Sequence, residues 1–105
     1  MKNLFIVIVR YIVDNSEIDA HLEDHIKFLD INYKNGTFIA SGPQVPQTGG
    51  LIIAKSDSRL SLEMILNHDP FAARHLGEYQ IYEFTPMFHT PEFKLILDNL
   101  TNVNL

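Results

Sequence analysis

Leu4 to Val13 reads LFIVIVRYIV, an unbroken series of β-branched, aliphatic and aromatic residues but for Arg10. A strand wetted on one face alternates apolar and polar residues, and this one does not. The run predicts a central strand buried on both faces. Its position just behind Met1-Lys2-Asn3 superficially imitates a signal peptide, but Arg10 interrupts it and no small-residue cleavage site follows. Nor does the sequence contain the roughly 20 consecutive apolar residues that a membrane-crossing helix requires.

Downstream of this strand, Asp14-Asn15-Ser16 supplies turn and helix-capping chemistry, and Glu17 and Asp19 place acid where a helix N-terminus favours it. The spacing predicts one helix to about Asn35, closed by Gly36. Ile18, Leu22, Ile26, Leu29 and Tyr33 form its apolar stripe. Thr37 to Ser41 and Leu51 to Lys55 read as two further strands, joined by the Gly/Pro/Gln-rich loop from Gly42 to Gly50. Ser58 is placed to cap a second helix, which must end before Pro70. Tyr79 to Thr85 is a last strand, and Pro91 to Leu100 a short C-terminal helix.

The order βαββαβ is the split βαβ of ferredoxin-like α+β folds, in one domain spanning 1–105. Two helices cover one face of an antiparallel sheet in that fold. Because the first strand is apolar on both sides, a second copy of the chain, packed sheet to sheet, is the expected cover of the other face. The net charge of -5, without a Lys/Arg cluster, disfavours nucleic acid. The absence of cysteine excludes disulfides and thiolate catalysis and fits a cytoplasmic protein. No membrane partner is expected.

Two residues stand out for chemistry. On a wheel of about 100° per residue, His25 lies roughly 60° from the middle of the first helix's stripe. That edge is part dry and part reachable, so His25 suits acid–base work near neutral pH, or simply bonds a backbone carbonyl. Asp69 precedes Pro70, which ends the helix there. Its carboxylate either caps the Phe71 turn or orients an imidazole, and spacing does not choose between these. His21 and His25 stand four apart, as metal ligands on a helix do, but Leu22 occupies the place where a zincin motif has glutamate. No metal or other cofactor is expected, although haem or flavin stays open.

His25, Gly36, Ser41-Gly42-Pro43 and Asp69-Pro70-Phe71, with a strand ending near Pro86, follow one another in an order and spacing that resembles the YciI-like (YCII-related) family of the dimeric α/β-barrel group. The resemblance runs from Leu4 to about Phe88. It implies a ferredoxin-like fold, a sheet-to-sheet homodimer and an active site built on a His–Asp pair, which falls on His25 and Asp69. Leu22 departs from the pattern, since members often carry arginine one turn before the histidine. Leu76-Gly77 departs too, since Gly-Leu commonly follows the Asp-Pro-Phe segment.

Ser41, Gly42 and Pro43, with Phe71, are then the expected lining of a substrate pocket. The loop behind Ser41 is no phosphate-binding P-loop, because no Gly-Lys-Ser/Thr follows its glycines. Without a nucleophilic cysteine or a Gly-x-Ser-x-Gly elbow, acyl transfer is disfavoured. General acid–base chemistry on a small molecule, of lyase or isomerase type, is the leading expectation. The alternatives are a pocket that binds a ligand without reacting, or a purely structural dimer module.

Overall fold

The computed structural model describes residues 2–98. At its centre is β1, Asn3–Tyr11, which pairs antiparallel with β3 (Gly49–Ser56) on one side and β4 (Gly77–Phe84) on the other. β2 (Phe38–Pro43) adds to the far edge of β3, giving the order β2-β3-β1-β4. All pairs are antiparallel, as in a ferredoxin-like sheet. The apolar run becomes a strand as far as Tyr11, with Ile12 and Val13 outside it. It has neighbours on both edges but is buried fully on one face only, Ile6 and Ile8 being half-buried on the other.

Phe5, Val7 and Val9 point to the helix-covered face and are buried with Ile52 and Ala54 of β3. Phe28, Phe38, Leu62 and Leu66 complete that core. Each fully buried side chain of this kind contributes about 1.5–3 kcal/mol, so this cluster is the main source of stability.

The first helical segment differs from the expected single helix. It is two helices, α1 (Asn15–Ala20) and α2 (Leu22–Lys34), hinged at His21. The hinge changes which face is buried. Phe28 and Asn32 of α2 go into the interior, while Leu22, Ile26 and Tyr33 of the expected stripe stay exposed. Asn32 is tolerated there because its amide donates to the Phe28 carbonyl at 2.9 Å.

α3, Arg59–Leu66, begins as its sequence requires, with the Ser58 hydroxyl accepting from the Ser61 amide at 3.0 Å. Between α3 and β4 the chain forms one more helical turn, α4 (Pro70–Ala73). α5, Phe93–Leu97, is shorter than the expected Pro91 to Leu100, of which 99–100 lies outside the described residues. Buried Leu97 and the Lys55 ammonium, which donates to the Ile96 carbonyl, fix α5 near the Leu4 end of the sheet.

None of the glycines from Gly42 to Gly50 has a positive φ. A side chain on Gly49 would stand 1.8 Å from the Val9 carbonyl oxygen, so close strand approach demands glycine there. Positive φ instead occurs at Gly36 (83°), closing α2, and at His75 (57°), closing α4. Leu76 returns its amide to the Phe71 carbonyl at 2.8 Å, which fixes His75 in the left-handed position. A side chain with a Cβ is strained there. His75→Gly should therefore raise stability by up to about 1 kcal/mol, and Gly36→Ala should lower it by about the same amount. Urea denaturation of the two variants beside the parent checks both signs.

Candidate functional site

A cavity of about 340 Å³ opens between the helix-covered face of the sheet and the α1–α2 hinge. Val9, Ile18, Leu22, Ile26 and Phe71 give it apolar walls. The stripe expected to pack into the core therefore supplies the wall of a pocket. Ser41, Gly42 and Pro43 at the end of β2 lie on the opposite rim with Gln47.

Asp69 is the polar anchor behind this cavity. Pro70 holds it extended (φ -67°, ψ 128°), so that it serves as the N-cap of α4. Its Oδ1 accepts from the Phe71 amide at 3.1 Å. The same oxygen lies 2.8 Å from His25 Nδ1, and Oδ2 accepts from the Tyr79 hydroxyl at 2.5 Å. Capping a turn and orienting an imidazole are thus both performed by one carboxylate. The side chain is wholly buried, and three donors answer for the water it has lost.

A carboxylate supplied in this way only accepts, so Nδ1 of His25 donates, and in the neutral imidazole Nε2 is the atom with the lone pair. His25 lies on the wall of the cavity with its side chain 14% exposed. The imidazole is held flat against Phe71, with centroids 4.0 Å apart and planes 7° from parallel. Nδ1, ring plane and tautomer are all fixed, which leaves Nε2 as the atom able to exchange a proton with a bound molecule.

Two tyrosines belong to this arrangement and were not singled out by the sequence. Tyr79 lies beside Val9 in the β1–β4 register, which carries its hydroxyl to Asp69. Burial first, and then the Asp69 charge, push its phenol far above the ordinary value of 10.0. Tyr11, at the end of β1, lines the cavity and meets Phe71 edge-on at 5.9 Å. Burial raises its pKa as well, followed by the charges of Asp69 and Asp19. The alternation of β1 placed Tyr11 on the same face as Val9, but no local signal marked either hydroxyl.

His21 forms the hinge, where it caps α1 and precedes α2, and it is not part of the cavity wall. No group of three or more His, Asp or Glu residues among the described residues could hold a metal ion. Arg10 pairs with Glu78 at 2.5 Å, so its charge is directed to a carboxylate of the neighbouring strand. No helix among the described residues is long and apolar enough to cross a membrane.

The YCII-related domain profile matches residues 4–87. The chain belongs to the YCII-related family. Among solved structures it is similar to 5-chloro-2-hydroxyhydroquinone dehydrochlorinase (TftG) from Burkholderia phenoliruptrix AC1100, in a complex with 2,5-dihydroxybenzoquinone. That likeness has a TM-score of 0.66 at 15% identity and covers 78% of this chain and 93% of that one. It confirms the fold. Curated protein sequences give no significant match.

The Tyr79–Asp69 contact has a measurable signature in this YCII-related chain. Because the native phenol ionises far above its unfolded value near pH 10, the unfolded chain loses that proton first. Stability contributed by Tyr79 is therefore complete below about pH 10 and declines as pH rises beyond it. Tyr79→Phe should flatten the alkaline limb of the stability–pH curve by up to about 1.4 kcal/mol per pH unit. Urea denaturation between pH 8 and 11 measures it, and an unchanged slope would contradict the contact.

Proposed function

We propose that this YCII-related protein is a small-molecule enzyme of lyase or isomerase type, with His25 as the proton-transfer group and Asp69 as its orienting partner. The observation that carries the reading is the 2.8 Å Nδ1–Oδ1 contact beside an open cavity. Nε2 of His25 takes a proton from a carbon or hydroxyl of the bound molecule. In an elimination, the electron pair left on carbon forms a double bond as the leaving group departs with its own pair. In an isomerisation, the imidazolium returns the proton to a second atom. Asp69 stabilises the positive imidazolium in both cases and keeps its own charge throughout. Ser41, Gly42, Pro43 and Phe71 enclose the substrate. The neighbour's dehydrochlorinase activity and small ring ligand support a small-molecule reaction on this fold, without assigning its substrate here.

His25→Ala and Asp69→Asn should each lower turnover by at least about 100-fold while circular dichroism stays native. The assay is a screen of enolisable carbonyl compounds and halogenated hydroxy-arenes in deuterated water, read by NMR for exchange or elimination. Undiminished turnover in either variant removes the dyad. Binding without turnover in the parent would leave a pocket that holds a ligand and does not react.

We also propose that the cover of the sheet's open face is a second copy of the chain. Ala40, Ile53, Ile6 and Tyr82 align across the four strands on that side, with Phe84 beside Leu4 in the next row. Tyr82 and Phe84 are about half exposed. Of the strand charges on this face, Arg10 and Glu78 are exposed and neutralise each other, while Lys55 in the Leu4 row is buried against α5. An apolar, self-neutral strip suits the isologous contact of a two-fold pair, in which each copy presents the same patch. Light scattering at micromolar concentration should give the dimer mass, and Tyr82→Glu should shift it toward the monomer. A monodisperse parent monomer would overturn this.

A further inference from the structure

The charge around the cavity has one sign. Asp19 lines its rim, Asp69 stands behind His25, and no lysine or arginine is among its lining residues. The positive end of α2, at Leu22, is the feature that could favour an anion. Glu23 and Asp24 occupy its first turn, however, and the C-terminal end of α1 adjoins it at His21. A carboxylate or phosphate entering here would lose water and meet two negative groups with no lysine or arginine to replace it.

The hydrogen-bonding groups point the same way. His25 Nε2 and the Asp19 carboxylate accept, so they call for donors on the ligand. The Tyr11 hydroxyl has no hydrogen-bond partner among the described residues and lies in the same cavity, against the Phe71 ring that carries His25. The raised pKa of Tyr11 keeps that hydroxyl protonated and able to donate. The walls between these groups are aliphatic or aromatic, and about 340 Å³ lies at the lower end of the range for small-molecule sites.

We propose that the cavity selects a neutral, hydroxylated molecule of single-ring size, held by Tyr11 and Asp19 beside His25, and rejects anions of the same shape. The proposal rests on the reading of this cavity as the substrate site, and it adds the class of substrate that the site takes.

Catechol and benzoate test it, being matched in size and opposite in charge state at pH 7. Titrations followed by NMR at the His25 and Tyr11 rings should give catechol a Kd at least about tenfold below that of benzoate. Leu22→Arg, at an exposed position of the wall, should narrow or reverse the ratio. Asp19→Lys does the same from the rim if the arginine variant fails to fold. Equal or tighter benzoate binding in the parent overturns the proposal, and so does saturation by neither probe at millimolar concentration. These measurements need no turnover. Inactivity of the parent with selective catechol binding would therefore refute the proton-transfer reading alone, whereas an active enzyme that prefers benzoate would refute only the ligand class.

Discussion

A carboxylate without solvent contact governs this molecule more than any single apolar contact does. Removing an ion such as Asp69 from water costs several kcal/mol, even after relaxation. The cost is met because His25 of α2, the Phe71 amide of α4 and Tyr79 of β4 converge on its two oxygens. α2 comes from a distant part of the chain, with 44 positions separating His25 from Asp69, whereas Phe71 and Tyr79 lie 2 and 10 positions away. None of the three contacts survives if its element shifts, and an orphaned buried carboxylate is far more costly than a lost apolar contact. The acid therefore sets the relative placement of α2, α4 and β4.

That constraint extends to the chemistry. Satisfying Asp69 requires Nδ1 of His25 to donate, and donation at Nδ1 leaves the lone pair on Nε2. Phe71 adds the second half of the alignment, because its backbone bonds Asp69 while its ring stacks on His25. One residue thus fixes both the imidazole and the carboxylate that orients it. A histidine held in position, plane and tautomer by interactions needed for folding loses little freedom when a substrate arrives.

Features governed by neighbours in sequence were legible before the structure. Ser58 caps α3, Gly36 closes α2 and Pro70 limits α3, since each acts on the backbone within a few residues of itself. The strand order followed from βαββαβ and from the apolar character of LFIVIVRYIV, although Ile6 and Ile8 are only half-buried on the sheet's open face. The hinge at His21 was not legible, because Asn15 to Lys34 carries no proline or glycine to break a helix. Tyr79 was missed for a different reason. Its partnership with Asp69 depends on the β1–β4 register and on where α4 lies, neither of which leaves a mark in local spacing. Lys55 taught the same lesson, since its burial follows from α5 some forty residues later.

The misplaced stripe of the first helix is the most informative of these differences. Ile18, Leu22, Ile26 and Leu29 recur at the period that predicts one buried helical face, and they do share an apolar surrounding. Periodicity reports that a face avoids water and is silent on whether its partner is protein or ligand. Ile18 is buried against Phe71, but Leu22 and Ile26 remain exposed on the cavity wall. Single exposed aliphatic groups are ordinary, whereas those exposed side by side in a concave surface are of the kind that marks a binding site. Their retention beside a histidine already fixed in its tautomer is what separates this cavity from a packing defect. The apolar wall and the ordered polar group face the same space, and the small-molecule reading proposed above rests on that conjunction.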